Sequence, residues 1–140
     1  MKAMIGALAM VMVGLVGASA LADEAKDTRY TLTVEAPAPK VGQPGAVRLV
    51  IKPQAGWHWN AEYPAKLSLA APDAVTVVKP ELKQADGDFK VDAGNTVATF
   101  TVTAKKAGAI DARISGKFGV CDDRSCVTVK VDRLVTIGAR

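Results

Sequence analysis

Methionine is missing from this chain after residue 12, histidine occurs once, and cysteine occurs twice. Each shortage removes a chemistry. A blue-copper centre takes two histidines, a cysteine and usually an axial methionine, and beyond residue 12 the chain offers only His58, Cys121 and Cys126. Zinc in a structural site takes four ligands, and the same three residues have no evident fourth. The chain reads as a protein with no metal and no other cofactor.

Charge of one sign is also scarce. Eighteen Lys and Arg stand against 14 Asp and Glu, scattered singly, and no basic stripe interleaves with aromatic residues. A nucleic-acid partner therefore has little support. Helical patterning is missing too: no stretch beyond residue 22 sustains apolar residues at i, i+3 and i+4.

What is present begins with an export signal. Lys2 supplies a positive charge, Ala3 to Val16 is apolar, and Ala18-Ser19-Ala20-Leu21-Ala22 supplies small residues for cleavage, the three-part layout of a secretory signal peptide. The apolar run is short for a membrane span and has no stop-transfer pattern after it. Residues 1–22 are read as a signal peptide cut after Ala22, with no stable membrane insertion afterwards. No cysteine stands where a lipid anchor would attach. The remainder, Asp23 to Arg140, has 118 residues, the size of one domain. Its expected location is the periplasm or the exterior.

Alternation at period two runs through that domain. Tyr30, Leu32 and Val34 alternate with threonines, Val47, Leu49 and Ile51 with polar residues, and Leu67 and Leu69 form a short third run. Thr76 to Val78 is a weaker strand. Residues 81–94 are polar, with Asp86-Gly87-Asp88 and Gly94, and predict a long exposed loop holding an isolated Phe89. Val97 to Ala104 is a clear strand, and a last hairpin rises through Ile110 to Val120 and returns through Val127 to Ile137. About seven short strands separated by turn signals predict an all-β, immunoglobulin-like sandwich. Within Trp57-His58-Trp59, a tryptophan buried between sheets is the simple reading, and one ring bordering the cysteines is the alternative.

Parity locates the cysteines. Even-numbered residues face inward on the rising strand of the hairpin and odd-numbered residues on the falling strand, so Cys121 and Cys126 both point away from the core. The loop Asp122 to Ser125 makes them direct cross-strand partners, whose Cβ atoms sit roughly 4.5 to 5.5 Å apart, within reach of a disulfide. An oxidising compartment would form it. Two cysteines in an exported domain suggest a staple, yet so short a loop gives only about 2 kcal/mol in the chain-entropy model, and the hairpin already joins these strands. An outward, exposed bridge is the kind that exchanges. Asp122 and Asp123 would raise a thiol pKa and Arg124 would lower it, so no strongly activated thiolate is expected. The same register sets Gly119 opposite Thr128, a small-residue surface open to a partner, and Lys117 opposite Lys130, an unfavourable pair.

From about Gly45 to Ile137 the chain resembles the periplasmic N-terminal, immunoglobulin-like domain of the DsbD thiol:disulfide reductase family. Three segments carry the likeness: Gly56-Trp57-His58-Trp59-Asn60 with Tyr63-Pro64, the segment around Asp86-Gly87-Asp88-Phe89, and Cys121-Asp122-Asp123-Arg124-Ser125-Cys126. Family members commonly carry prolines after the second cysteine, where this chain has Val127-Thr128-Val129. The resemblance implies a stand-alone module relaying reducing equivalents to or from thioredoxin-like partners. Cys121 and Cys126 would be its catalytic pair, with Cys126 forming the mixed disulfide and Cys121 resolving it. It also implies an aromatic cap, best matched by Phe89, with Trp57 or Trp59 lining the site. The other reading is a non-catalytic binding or structural module in which the disulfide pins a hairpin.

Overall fold

Asn95–Ala104 shows how alternation becomes structure: Thr96, Ala98, Phe100, Val102 and Ala104 are buried, and the residues between them face outward or lie half-buried. Successive side chains of a strand point to opposite faces, so one face of such a segment must be covered. A computed structural model of the chain describes residues 27–36 and 38–140. The expected signal peptide and its cleavage site lie outside the described residues.

Ten strands occur among the described residues: β1 (Tyr30–Glu35), β2 (Pro44–Pro53), β3 (His58–Trp59), β4 (Lys66–Ala70), β5 (Val75–Val77), β6 (Glu81–Lys83), β7 (Phe89–Asp92), β8 (Asn95–Ala104), β9 (Gly108–Cys121) and β10 (Cys126–Ala139). They form two five-stranded antiparallel sheets. One runs β1-β2-β8-β5, with β7 also on β8; the other runs β10-β9-β4-β6, with β3 also on β9. The chain is an all-β, immunoglobulin-like sandwich, as the alternation predicts. No helix among the described residues is long and apolar enough to cross a membrane.

Between the sheets lies a core of apolar residues from both inner faces, including Leu49, Ile51, Phe100, Ile114, Phe118 and Ile137, all fully buried. An aromatic ladder crosses it. Phe89 stacks on Trp59 with ring centroids 5.3 Å apart, Trp59 stacks on Phe118 at 5.4 Å, and Tyr30 meets Phe118 edge-on at 5.3 Å. Each such contact contributes roughly 0.5 to 1.5 kcal/mol beyond burial.

Residues 81–94 depart from the expected exposed loop. They hold β6, a single 3-10 turn over Gln84–Asp86, and β7. Leu82 and Phe89 enter the core from these strands, and the polar residues between them close the connection. Asp88 accepts the Lys83 backbone N–H at 2.9 Å and pairs with Lys79 at 2.7 Å, while Gly87 takes the left-handed conformation that ends the turn. Three-residue strands have too few positions to show a period, so β6 looks like loop in sequence.

Candidate thiol–disulfide site

The hairpin of β9 and β10 sets the site. Its register pairs Cys126 with Cys121, Thr128 with Gly119 and Lys130 with Lys117, the alignment the parity predicts. The Asp122 N–H donates to the Ser125 carbonyl at 2.9 Å, so the adjoining Cys121–Cys126 pair falls at a non-hydrogen-bonded position, where facing side chains are closest. The two cysteines form a disulfide with their Cα atoms 4.0 Å apart.

Asp122 holds the turn from inside. Its Oδ1 accepts the N–H of Arg124 at 2.8 Å, the N–H of Ser125 at 2.7 Å and the Ser125 hydroxyl at 3.2 Å. The Arg124 and Ser125 backbone N–H groups depress the Asp122 pKa below its ordinary value. With its Oδ1 committed to the turn, Asp122 acts mainly as the hairpin's clasp. The hydrogen bonds of that clasp and of the ladder below it do not involve the sulfurs.

Exposure differs from the expectation for one of the two cysteines. Both point to the outer face as parity requires, but Cys121 is only 6% exposed whereas Cys126 is exposed. The cause is β3. It lies along the other edge of β9 and pairs His58 with Cys121 and Trp59 with Val120. Directly paired residues project to the same face, so the outer face carries a row of His58, Cys121 and Cys126, with Cys121 enclosed in the middle. His58 itself is exposed.

Gly119 is covered as well, which corrects its expected role as an open small-residue surface. The Asn60 N–H donates to the Gly119 carbonyl at 2.9 Å, and residues 60–63 turn across it. A Cβ at Gly119 would lie 3.0 Å from Tyr63 Cβ and 3.3 Å from Asn60 Cβ. Glycine is there so that this turn can pack beside Cys121.

The aromatic residues divide. Trp59, at 8% exposure, and Phe89, at 6%, belong to the core ladder on the inner face. The predicted tryptophan between sheets is Trp59. Phe89 does not stand in an exposed loop over the sulfurs, because β7 turns it inward onto Trp59. Trp57 precedes β3, is half-buried against the core, and has the Arg29 guanidinium 6.0 Å above its ring, an arrangement in the range of a cation–π contact. Arg29 is in turn held by Asp27 at 2.6 Å. His58 is the site residue that sequence left without a partner. Only the pairing of β3 with β9 brings it to Cys121.

The sequence matches no protein-family model and no curated protein. Among solved structures it is similar in part to a conjugative transposon lipoprotein from Bacteroides eggerthii, at 12% identity and a TM-score of 0.37, over 76% of this chain and 97% of that one. It is also similar in part to AggA, the major subunit of aggregative adherence fimbriae type I from Escherichia coli, at 10% identity and a TM-score of 0.39, over 82% of this chain and 97% of that one.

Proposed function

We propose that this chain is an extracytoplasmic thiol:disulfide exchange module that passes reducing equivalents to or from thioredoxin-like dithiol proteins. The observation that carries the reading is the unequal exposure of a bonded pair on a pre-formed hairpin, with Cys126 exposed and Cys121 enclosed. A thiolate of the partner attacks Cys126 Sγ, the Cys121–Cys126 bond breaks, and Cys121 leaves with the electron pair and takes up a proton. The partner's second thiol then attacks its own sulfur in the mixed disulfide and releases Cys126. Two electrons have moved, leaving the partner oxidised and this chain reduced. The reverse sequence returns them, and relative potentials fix the direction.

Reversibility is supported by the Asp122 clasp and the β9–β10 ladder, which keep the dithiol paired for reoxidation. The resemblance to the DsbD N-terminal domain agrees with the roles of the two cysteines, and the signal-like residues 1–22 agree with an oxidising compartment. A structural staple is the competing reading, favoured by the enclosure of Cys121 between β3 and β10.

The reduction potential separates them. A value above about −300 mV in glutathione or thioredoxin buffers supports exchange, and a value below it marks an inert bridge. Cys121→Ala should also leave Cys126 able to trap a mixed disulfide with a dithiol protein in cells that export the chain. Recovery of no adduct would count against the relay.

A further inference from the structure

Four lysines stand in one row on the face that carries Cys126. Lys83 of β6 pairs with Lys66 of β4, Lys66 with Lys117 of β9, and Lys117 with Lys130 of β10. All four are exposed. Like charges directly opposed across strands are destabilising, and the other cross-strand residue pairs among the described residues avoid them. Arg48 meets Glu35 at 3.0 Å, Arg113 meets Asp132 at 2.6 Å, and Asp111 accepts from the Thr136 hydroxyl at 2.9 Å.

The row is compensated at one end only. Glu81 pairs with Lys66 at 3.0 Å and with Lys83 at 3.2 Å, and those two lysines keep its pKa low. Lys117 and Lys130, the two nearest the disulfide, have no acidic partner among the described residues. They border an open groove of about 500 Å³ that is also lined by Ser68, Ser115 and the paired Arg113 and Asp132.

Position gives the row a use. Lys117 and Lys130 lie four residues along their strands from Cys121 and Cys126, on the same face, which at about 3.3 Å per residue is about 13 Å. A docking footprint of about 800 Å² per partner has a radius of about 16 Å, so a protein seated on Cys126 covers them. We infer that the lysine row is the docking surface for an acidic patch on the thiol-bearing partner, placed about 13 Å from its attacking sulfur. The inference rests on the exchange reading and specifies the partner's chemistry. Charges at the rim of an interface act chiefly through encounter rate and choice of partner, so the row selects acidic dithiol proteins over basic ones.

Synthetic peptides test this directly. Each carries one reduced cysteine, a four-residue spacer and a run of glutamates, glutamines or lysines. Second-order rates of mixed-disulfide formation, expressed per thiolate, are measured at about 0.01 M and about 1 M salt, where the screening length falls from about 30 to about 3 Å. At low salt the glutamate peptide is expected to react roughly tenfold faster than the lysine peptide, and the difference should vanish at high salt. The double variant Lys117→Gln/Lys130→Gln should lose most of that preference, and Lys117→Glu/Lys130→Glu should invert it. Equal rates for the three peptides on the wild-type chain, or a preference untouched by either double variant, would overturn the inference while leaving exchange intact. Failure of every peptide, including the neutral one, to open the disulfide would sink the exchange reading and this inference with it.

Discussion

His58 faces Cys121 across the β3–β9 ladder, on the same outer face as the disulfide. A sulfur leaving Cys121 emerges in a largely enclosed position, where desolvation disfavours its charged form. If a partner opens the bond, the imidazole of His58, which pairs across the ladder, is the expected donor of a proton to that sulfur. Proton transfer by a positioned side chain can contribute 10²- to 10⁴-fold, but a thiolate is a far better leaving group than an alkoxide or an amine, so the effect here is expected to fall below that range. His58→Gln should slow opening of the disulfide by a dithiol at pH 7 by roughly tenfold, with little change in thermal stability because residue 58 is exposed. His58→Lys, which restores a proton donor at that place, should recover part of the rate. Unchanged rates in both variants would leave His58 a surface residue.

Asp122 makes the hairpin tip sensitive to acid. Its pKa is depressed in the folded chain by the Arg124 and Ser125 N–H groups, so its carboxylate favours the closed turn. A depressed carboxyl contributes its stabilisation fully above the unfolded-state pKa, near 3.9, and loses it as pH falls through the folded value. Amide exchange protection at Arg124 and Ser125 should therefore hold from neutral pH down to about pH 4 and decline below it. Asp122→Ala should lower that protection at neutral pH without unfolding the sandwich. Protection independent of both pH and Asp122 would mean that the ladder alone sets the turn.

The hairpin register was legible because two constraints agree there. Period-two burial along Ile110 to Val120 and Val127 to Ile137, with a four-residue loop between the cysteines, admits one alignment, and it carries Gly119 with Thr128 and Lys117 with Lys130. The burial of Cys121 was not legible. It depends on β3, a two-residue strand whose ladder partners, Cys121 and Val120, are far along the chain, and two residues carry no periodicity to assign. Lys117 opposite Lys130 looked like an isolated defect for the same reason. Its extension through Lys66 to Lys83 needs the tertiary pairing of β4 with β9 and β6. Phe89 was misplaced because β6 and β7 are short and the polar turn between them dominates the local composition.

Phe89 is where the sequence expectation and the structure make opposite predictions. A cap in an exposed loop could be removed with little loss of stability and a gain in reactivity. Phe89 instead begins β7, pairs with Ala98, and stacks on Trp59. Phe89→Ala removes a ring at 6% exposure and should cost about 3 to 5 kcal/mol by loss of burial and creation of a cavity. Phe89→Leu retains much of the volume and should cost about half as much. Urea unfolding of the oxidised chain measures both, with unfolding slopes like the wild type's marking loss of stability alone. In the folded fraction, reaction of the disulfide with a small thiol should match wild type, because the lost ring lies on the inner face and Cys126 on the outer one. A stable Phe89→Ala variant with a faster-reacting disulfide would restore the cap and would require residues 86–89 to reach the outer face.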